Sequence, residues 1–266
     1  MAYEDSLNRS IAIKKGSESA IVVPASDFSY TISSEVGSVY GSGSRVPLGV
    51  YPGAVKFSGS FSTIIVPSIF PILSLINSTA GSALTEFEVN DGIDKLTSCK
   101  LSSLKISFSL NKPATADFSF VALGKEAGSA VSPSSDDTFF VAQNITLEGI
   151  SDYDCDDISI SVSNGLKEVY GMKGTDRTPR TIAEDKQEIT IDVKFVEDHL
   201  VDVSADDLAV IDSGSISVLG SDGTTSLTIS FVDLIAGDSN KDIKVGDIVR
   251  FGLKYTAKSI SFPSSP

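Results

Sequence analysis

Asp27-Phe28-Ser29-Tyr30-Thr31-Ile32-Ser33 alternates polar residues with larger apolar or aromatic ones. A period of two sets Phe28, Tyr30 and Ile32 on one face of a strand and the polar residues on the other. The pattern returns 130 positions later as Asp157-Ile158-Ser159-Ile160-Ser161-Val162-Ser163. Downstream, Val39-Tyr40-Gly41 is answered by Val169-Tyr170-Gly171, at the same offset. Arg45 and Pro47 are then answered by Arg177 and Pro179, 132 positions on, so the second copy carries two extra loop residues. A further alternating strand, Phe57-x-Gly59-x-Phe61-x-Thr63, is matched by Ile189-x-Ile191-x-Val193-x-Phe195. Duplication of a whole β unit favours a doubled surface over a single set of catalytic residues.

The spacing divides the 266-residue chain into two units, expected at 1–123 and 138–266 with a linker at 124–137. Each unit is long enough to bury its own core. A hydrophobic content of 41% and a mean hydropathy of +0.13 indicate a folded chain. The net charge of −14 and pI near 4.4 exclude DNA binding through a basic patch. Cys99 and Cys155 do not occupy matching positions in the two copies. A disulfide between them stays open, with two unpaired thiols the expectation. Residues 1–9 are polar, so no secretory leader is expected. The longest apolar stretch, Ile64 to Ile76, is broken by Pro67 and Pro71 and is too short to span a bilayer. No membrane partner is expected, and the chain reads as a soluble product of a cytosol.

Alternation recurs along both halves, at Ile106-Leu110, Phe118-Ala122, Ile145-Leu147, Ile216-Val218, Leu227-Phe231 and Val249-Tyr255. Strands with one buried and one exposed face belong to antiparallel sheets. The fold class expected is all-β, a β-sandwich or half-barrel with one short flanking helix per unit. The helices are placed at Pro67–Thr79 and at Glu197–Ile211. Polar positions of the strands are rich in Ser and Thr, an uncharged face suited to side-by-side packing with other copies. Gly124 to Asp137 reads as the linker. Gly41 to Ala54 and Gly171 to Asp185 read as long functional loops, mobile in a free subunit.

Catalytic chemistry is thinly represented. The single histidine, His199, sits in an acidic run and reads as a solvated side chain. There is no G-x-S-x-G elbow, phosphate loop or H-E-x-x-H motif. Asp152 to Asp157 clusters acids but lacks the glycine and distal Glu of a calcium loop, so a polar turn is the simpler reading against an ion site. The absence of tryptophan leaves no evident sugar platform. No enzyme activity, metal or cofactor is expected.

Taken in order, Ile32, Val39-Tyr40-Gly41, Gly43, Arg45, Pro47, Pro52-Gly53 and then Gly59 and Phe61 resemble the tail tube proteins of tailed phages and related archaeal viruses. Leu227 to Phe231 followed by Asp247 to Lys258 is similar to the end of the same family. The sequence departs from the pattern at Ile191, which stands where the first copy has Gly59. The resemblance implies a structural virion protein of the tail, assembled in the host cytoplasm. It implies stacked rings whose sheets join into an inner barrel through which viral DNA passes without specific binding. With six tube domains per ring as the family norm, two per chain imply three chains. Further implied partners are tail terminator, tail tip or baseplate and tape-measure proteins, and a sheath in contractile tails. Arg45, Pro47, Tyr51, Arg177, Pro179 and Arg180 are the residues expected to touch the neighbouring ring. A two-domain β-sandwich binding module, such as an adhesin or carbohydrate-binding protein, is the alternative.

Overall fold

A computed structural model describes residues 10–40, 42–43, 45–76, 83–132, 138–150, 154–171, 177–197, 210–242 and 249–264. The chain is built almost wholly of strands. In the first half these are β1 (Ser10–Lys15), β2 (Ile21–Tyr40), β3 (Pro47–Ile64), β4 (Phe87–Asn90), β5 (Asp94–Ser109), β6 (Thr115–Ala122) and β7 (Gly124–Ala127). The second half supplies β8 (Phe140–Glu148), β9 (Cys155–Val169), β10 (Thr181–Glu197), β11 (Val210–Gly220), β12 (Ser226–Asp242) and β13 (Val249–Ser261).

Hydrogen bonding runs without interruption through β2-β3-β6-β5-β9-β10-β13-β12, eight antiparallel strands in a row. β4 pairs with both β1 and β5, which closes the first six strands on themselves as a barrel. The junction between the halves is a full strand pair. β5 lies against β9 with Leu104 opposite Val162, Ile106 opposite Ile160 and Phe108 opposite Ile158.

The two hairpins β2–β3 and β9–β10 correspond residue for residue. Ile32 faces Phe57 as Val162 faces Ile189, and Val39 faces Gly49 as Val169 faces Thr181. Even the bulges coincide. The ladder slips between Ser34 and Val36 in one hairpin and at Asn164 and Leu166 in the other. β5–β6 slips between Leu101 and Ser103, and β12–β13 at the matching Ala236 and Asp238. A bulge bends its strand and fixes register, so shared bulges mean shared curvature.

Alternation sorts the side chains as the sequence suggests. Ile106, Phe118, Ile160, Ile191 and Phe231 are buried, and they join one core that spans both halves. The opposite face is polar. Ser29, Ser60, Ser119, Ser103 and Ser163 stand in a single row across β2, β3, β6, β5 and β9. Phe61 stacks on Phe118 at 4.5 Å and Phe87 meets Phe120 edge-on at 5.9 Å, filling the first barrel.

The helical segment of the first half is short. One turn, α1 (Phe70–Leu73), lies between 3-10 turns Pro67–Ile69 and Ser74–Ile76. Its apolar residues are buried, and Phe70 stacks on Phe140 of β8 at 5.6 Å. The second helix, expected over 197–211, falls mostly outside the described residues; Glu197 ends β10 and Val210 begins β11. Two segments read as irregular are strands. Residues 47–54 and 181–185 extend β3 and β10, leaving much shorter connections than expected. Gly124–Ala127, read as the start of a linker, is β7 and pairs with the first residues of β5.

Candidate functional site

The hairpin β2–β3 reaches well past the core. Val36, Val39, Tyr40, Val46, Leu48, Val50 and Tyr51 are all exposed there. Such a concentration of apolar side chains on a protruding hairpin marks an interaction surface. Tyr51 lies over Gly37 of the opposite strand; a Cβ at Gly37 would stand 2.1 Å from its ring, so glycine makes the close approach feasible.

The residues singled out from the sequence divide into two sets. In the first half, Arg45 is exposed just before β3, Pro47 starts that strand opposite Tyr40, and Val39 and Tyr40 end β2. Gly41 lies outside the described residues. In the second half the corresponding connection folds back on the first. The Val55 N–H donates to the Arg177 carbonyl at 2.9 Å, and the Tyr170 hydroxyl donates to the Val55 carbonyl at 3.3 Å. Burial, then the charge of Glu168, raises the pKa of the Tyr170 phenol. Pro179 is buried, while the Arg177 side chain is exposed. Arg180 lies along Gly171, where a Cβ would stand 2.1 Å from Nε, and its N–H donates to the Val169 carbonyl at 2.8 Å.

Sequence reasoning missed the contacts that lock the halves together. Lys100 of β5 donates to Glu184 of β10 at 2.6 Å, and the Leu84 N–H donates to the same carboxylate at 2.9 Å. Burial pushes the Glu184 pKa up, but the Lys100 hydrogen bond and the Leu84 amide outweigh it and hold the carboxyl below its ordinary value. Asn164 donates to the Leu101 carbonyl at 2.9 Å across the same junction. No local signal in the sequence couples these residues, which are separated by more than sixty positions.

Within the first barrel Tyr30 donates to Asp94, and Lys125 pairs with Asp94 at 2.8 Å while covering the Tyr30 ring at 5.3 Å. Lys125, then Tyr30, holds the Asp94 carboxyl below its ordinary pKa. The network ties β2 to β5 and β7.

Asp157, in the acidic run, pairs with Lys194 at 2.7 Å and accepts from Ser109 at 3.2 Å. Asp152 and His199 lie outside the described residues. Among the described residues no group of three His, Cys, Asp or Glu side chains is arranged to hold a metal, and no helix is long and apolar enough to cross a membrane. Cys99 and Cys155 are free thiols.

No curated protein matches the chain. The family model described as Phage tail tube protein matches residues 35–262, from the exposed part of β2 to just past the end of β13 and well over half of the chain. The match takes in the outer end of the β2–β3 hairpin, the whole of the β9–β10 hairpin and the β5–β9 junction between the halves. The chain therefore belongs to the phage tail tube protein family, a structural component of the virion tail.

Proposed function

We propose that the chain is the major subunit of a tail tube and consists of two copies of one tube unit, divided near residues 124–137. Three chains close a ring of six units, and stacked rings form the conduit for genome delivery. The observation that carries this reading is the unbroken sheet of eight strands with one buried and one Ser/Thr-rich face. Joining such sheets edge to edge makes a barrel with no free edges in the ring plane. An uncharged serine row on the inner wall, in a chain of net charge −14, offers DNA no counterion-release gain and lets it slide through. The role is structural, with no catalytic centre.

The connections at 41–46 and 171–180 are assigned to contacts between rings. The exposed guanidinium groups of Arg45 and Arg177, together with Arg180, Pro47, Pro179 and Tyr51, are the groups proposed to meet an acidic neighbouring ring. The tube ends bind terminator and tip or baseplate proteins, the lumen holds a tape-measure protein before ejection, and a sheath surrounds it if the tail contracts. Assembly takes place in the host cytoplasm. Negative-stain microscopy of the concentrated protein tests the reading: hollow tubes with axial striations and threefold rings are expected. Rings of six chains would overturn the trimer, and a persistent monomer would overturn the tube.

A further inference from the structure

We propose that neighbouring chains join by pairing β12 of one copy with β2 of the next, in the register that β5 and β9 use inside the chain. The inference rests on the ring reading above and specifies its seam. Mapping through the shared registers, β9 corresponds to β2 at an offset of 130, and β5 corresponds to β12 at an offset of 135 from Lys100 and Ile235 onward. The β5–β9 pair is thus an internal copy of a contact for which both remaining partners stand ready. Among the described residues, β2 beyond Pro24 is paired only with β3, and β12 beyond Ile235 only with β13. A long unpaired edge is a template for another strand.

Side-chain exposure says what covers those edges. Val162 is 1% exposed because β5 lies over it, whereas its counterpart Ile32 is 46% exposed. Ile182 is 3% exposed and its counterpart Val50 is 63% exposed. Lys100, 8% exposed in its ion pair with Glu184, corresponds to Ile235, 50% exposed, and Glu184 corresponds to Pro52. The ion pair that fastens the halves within a chain is replaced by an apolar pair, Ile235 against Pro52, between chains. One surface buried by the chain itself in one place and bare in the matching place fits a second copy of the same chain. The contact is head to tail, and such contacts close into rings when the rotation permits.

The transferred register sets Ser239 opposite Ile32 of the next copy, Asn240 opposite Thr31 and Lys241 opposite Tyr30. The test is cysteine cross-linking in the full chain carrying Cys155→Ser. Thr31→Cys with Asn240→Cys is assembled, oxidised and run on a non-reducing gel. Covalent multimers ending at the closed ring are expected, with yields roughly tenfold above those of the slipped pairs Ser33→Cys/Asn240→Cys and Ser29→Cys/Asn240→Cys. Tubes that form with no link at the predicted pair, or with a better link at a slipped pair, overturn the seam and leave the tube reading standing. Failure of the unsubstituted chain to form any multimer overturns both. A second variant, Ile235→Asp, is expected to melt like the parent monomer yet need roughly tenfold more protein to assemble; assembly at the parent concentration overturns the apolar contact.

Discussion

Lys100 and Glu184 form an ion pair, 2.6 Å apart, across the strand junction that joins the two halves of the chain. Their side chains are 10% and 22% exposed, so the pair is shielded from most of the solvent. Removing Lys100 leaves the carboxylate short of its partner in a site that burial already disfavours. Lys100→Ala is expected to destabilise the subunit by about 2 kcal/mol, read from urea unfolding. Lys100→Met with Glu184→Leu should cost less than either single change, because it leaves no uncompensated charge.

The same pair sets a pH dependence. The folded Glu184 carboxyl lies below its ordinary value of 4.5. Its contribution is therefore complete above that value and is lost as the pH falls through the lower, folded pKa. Asp94, held down by Lys125 and Tyr30, adds a loss of the same sign below its ordinary 3.8. Thermal melts should show a falling midpoint below pH 4.5, and the fall should be shallower in the Lys100→Met/Glu184→Leu protein. An unchanged acid limb in that double variant would remove Glu184 from the account.

Corresponding positions should respond differently to the same substitution. Val162→Asp puts a charge into the buried β5–β9 junction and is expected to cost 3 kcal/mol or more, about the price of an unpaired buried charge. Ile32→Asp changes an exposed residue and should stay within about 0.5 kcal/mol in the monomer. Melting curves of the two proteins below the assembly concentration check the contrast. Equal losses would mean that Ile32 is covered in the free subunit.

Much of this fold is visible in the sequence because strand alternation is local. Ile158, Ile160 and Val162 announce a buried face without knowledge of any partner, and the offset to Phe28, Tyr30 and Ile32 aligns the hairpins. The long reach of β3 is hidden by Pro47, Pro52 and Gly53, which normally break strands. Here Pro52 lies beyond the stretch paired with β6, so its missing N–H leaves no ladder bond unmade on that edge, and the bulge takes up Gly53 and Ala54. β7, with the sequence GKEA, has too few residues for a period to register. The β5–β9 junction was illegible for another reason. Pairing of strands far apart in the chain depends on which edges are left free, and serines on the polar face mark no preference.

Gly59 and Ile191 occupy matching positions with different side chains. A Cβ at Gly59 would stand 2.5 Å from the Phe120 ring, which is held by Phe61 and Phe87. Gly59→Ala should therefore cost about 1–3 kcal/mol through overpacking. Adding Phe120→Leu should recover part of that loss, measured as a double-mutant cycle. Additive losses would show that the two sites do not share space.

Neither thiol should react readily in the folded protein. Burial raises the pKa of Cys99 far above its ordinary value, and burial together with Asp154 and Asp156 pushes Cys155 up to about 11. The thiolate is the reactive form. A colorimetric thiol reagent at pH 7 should label the native protein slowly and the denatured protein at both sites. Cys155, half-buried, should label first and faster as the pH rises; rapid native labelling at Cys99 would contradict its burial.

The width of the tube follows from the strand count. With β2 and β12 as the seam edges proposed above, each chain contributes the eight strands from β2 to β12 to the inner wall. Three chains then make a barrel of about 24 strands, and six chains a barrel of about 48. With strands about 4.8 Å apart and tilted by about 40°, 24 strands give a circumference of about 150 Å. That corresponds to a backbone-to-backbone diameter of about 48 Å, which small serine and threonine side chains narrow only slightly. Twice the strands would give about 95 Å, a bore far wider than one duplex needs and a wall with less curvature to hold it closed. A reconstruction with an inner β wall near 48 Å and threefold symmetry is expected; a wall near 95 Å would sink the trimer, and a wall near 48 Å with sixfold symmetry would sink both the trimer and the equal contribution of the two halves to the lining.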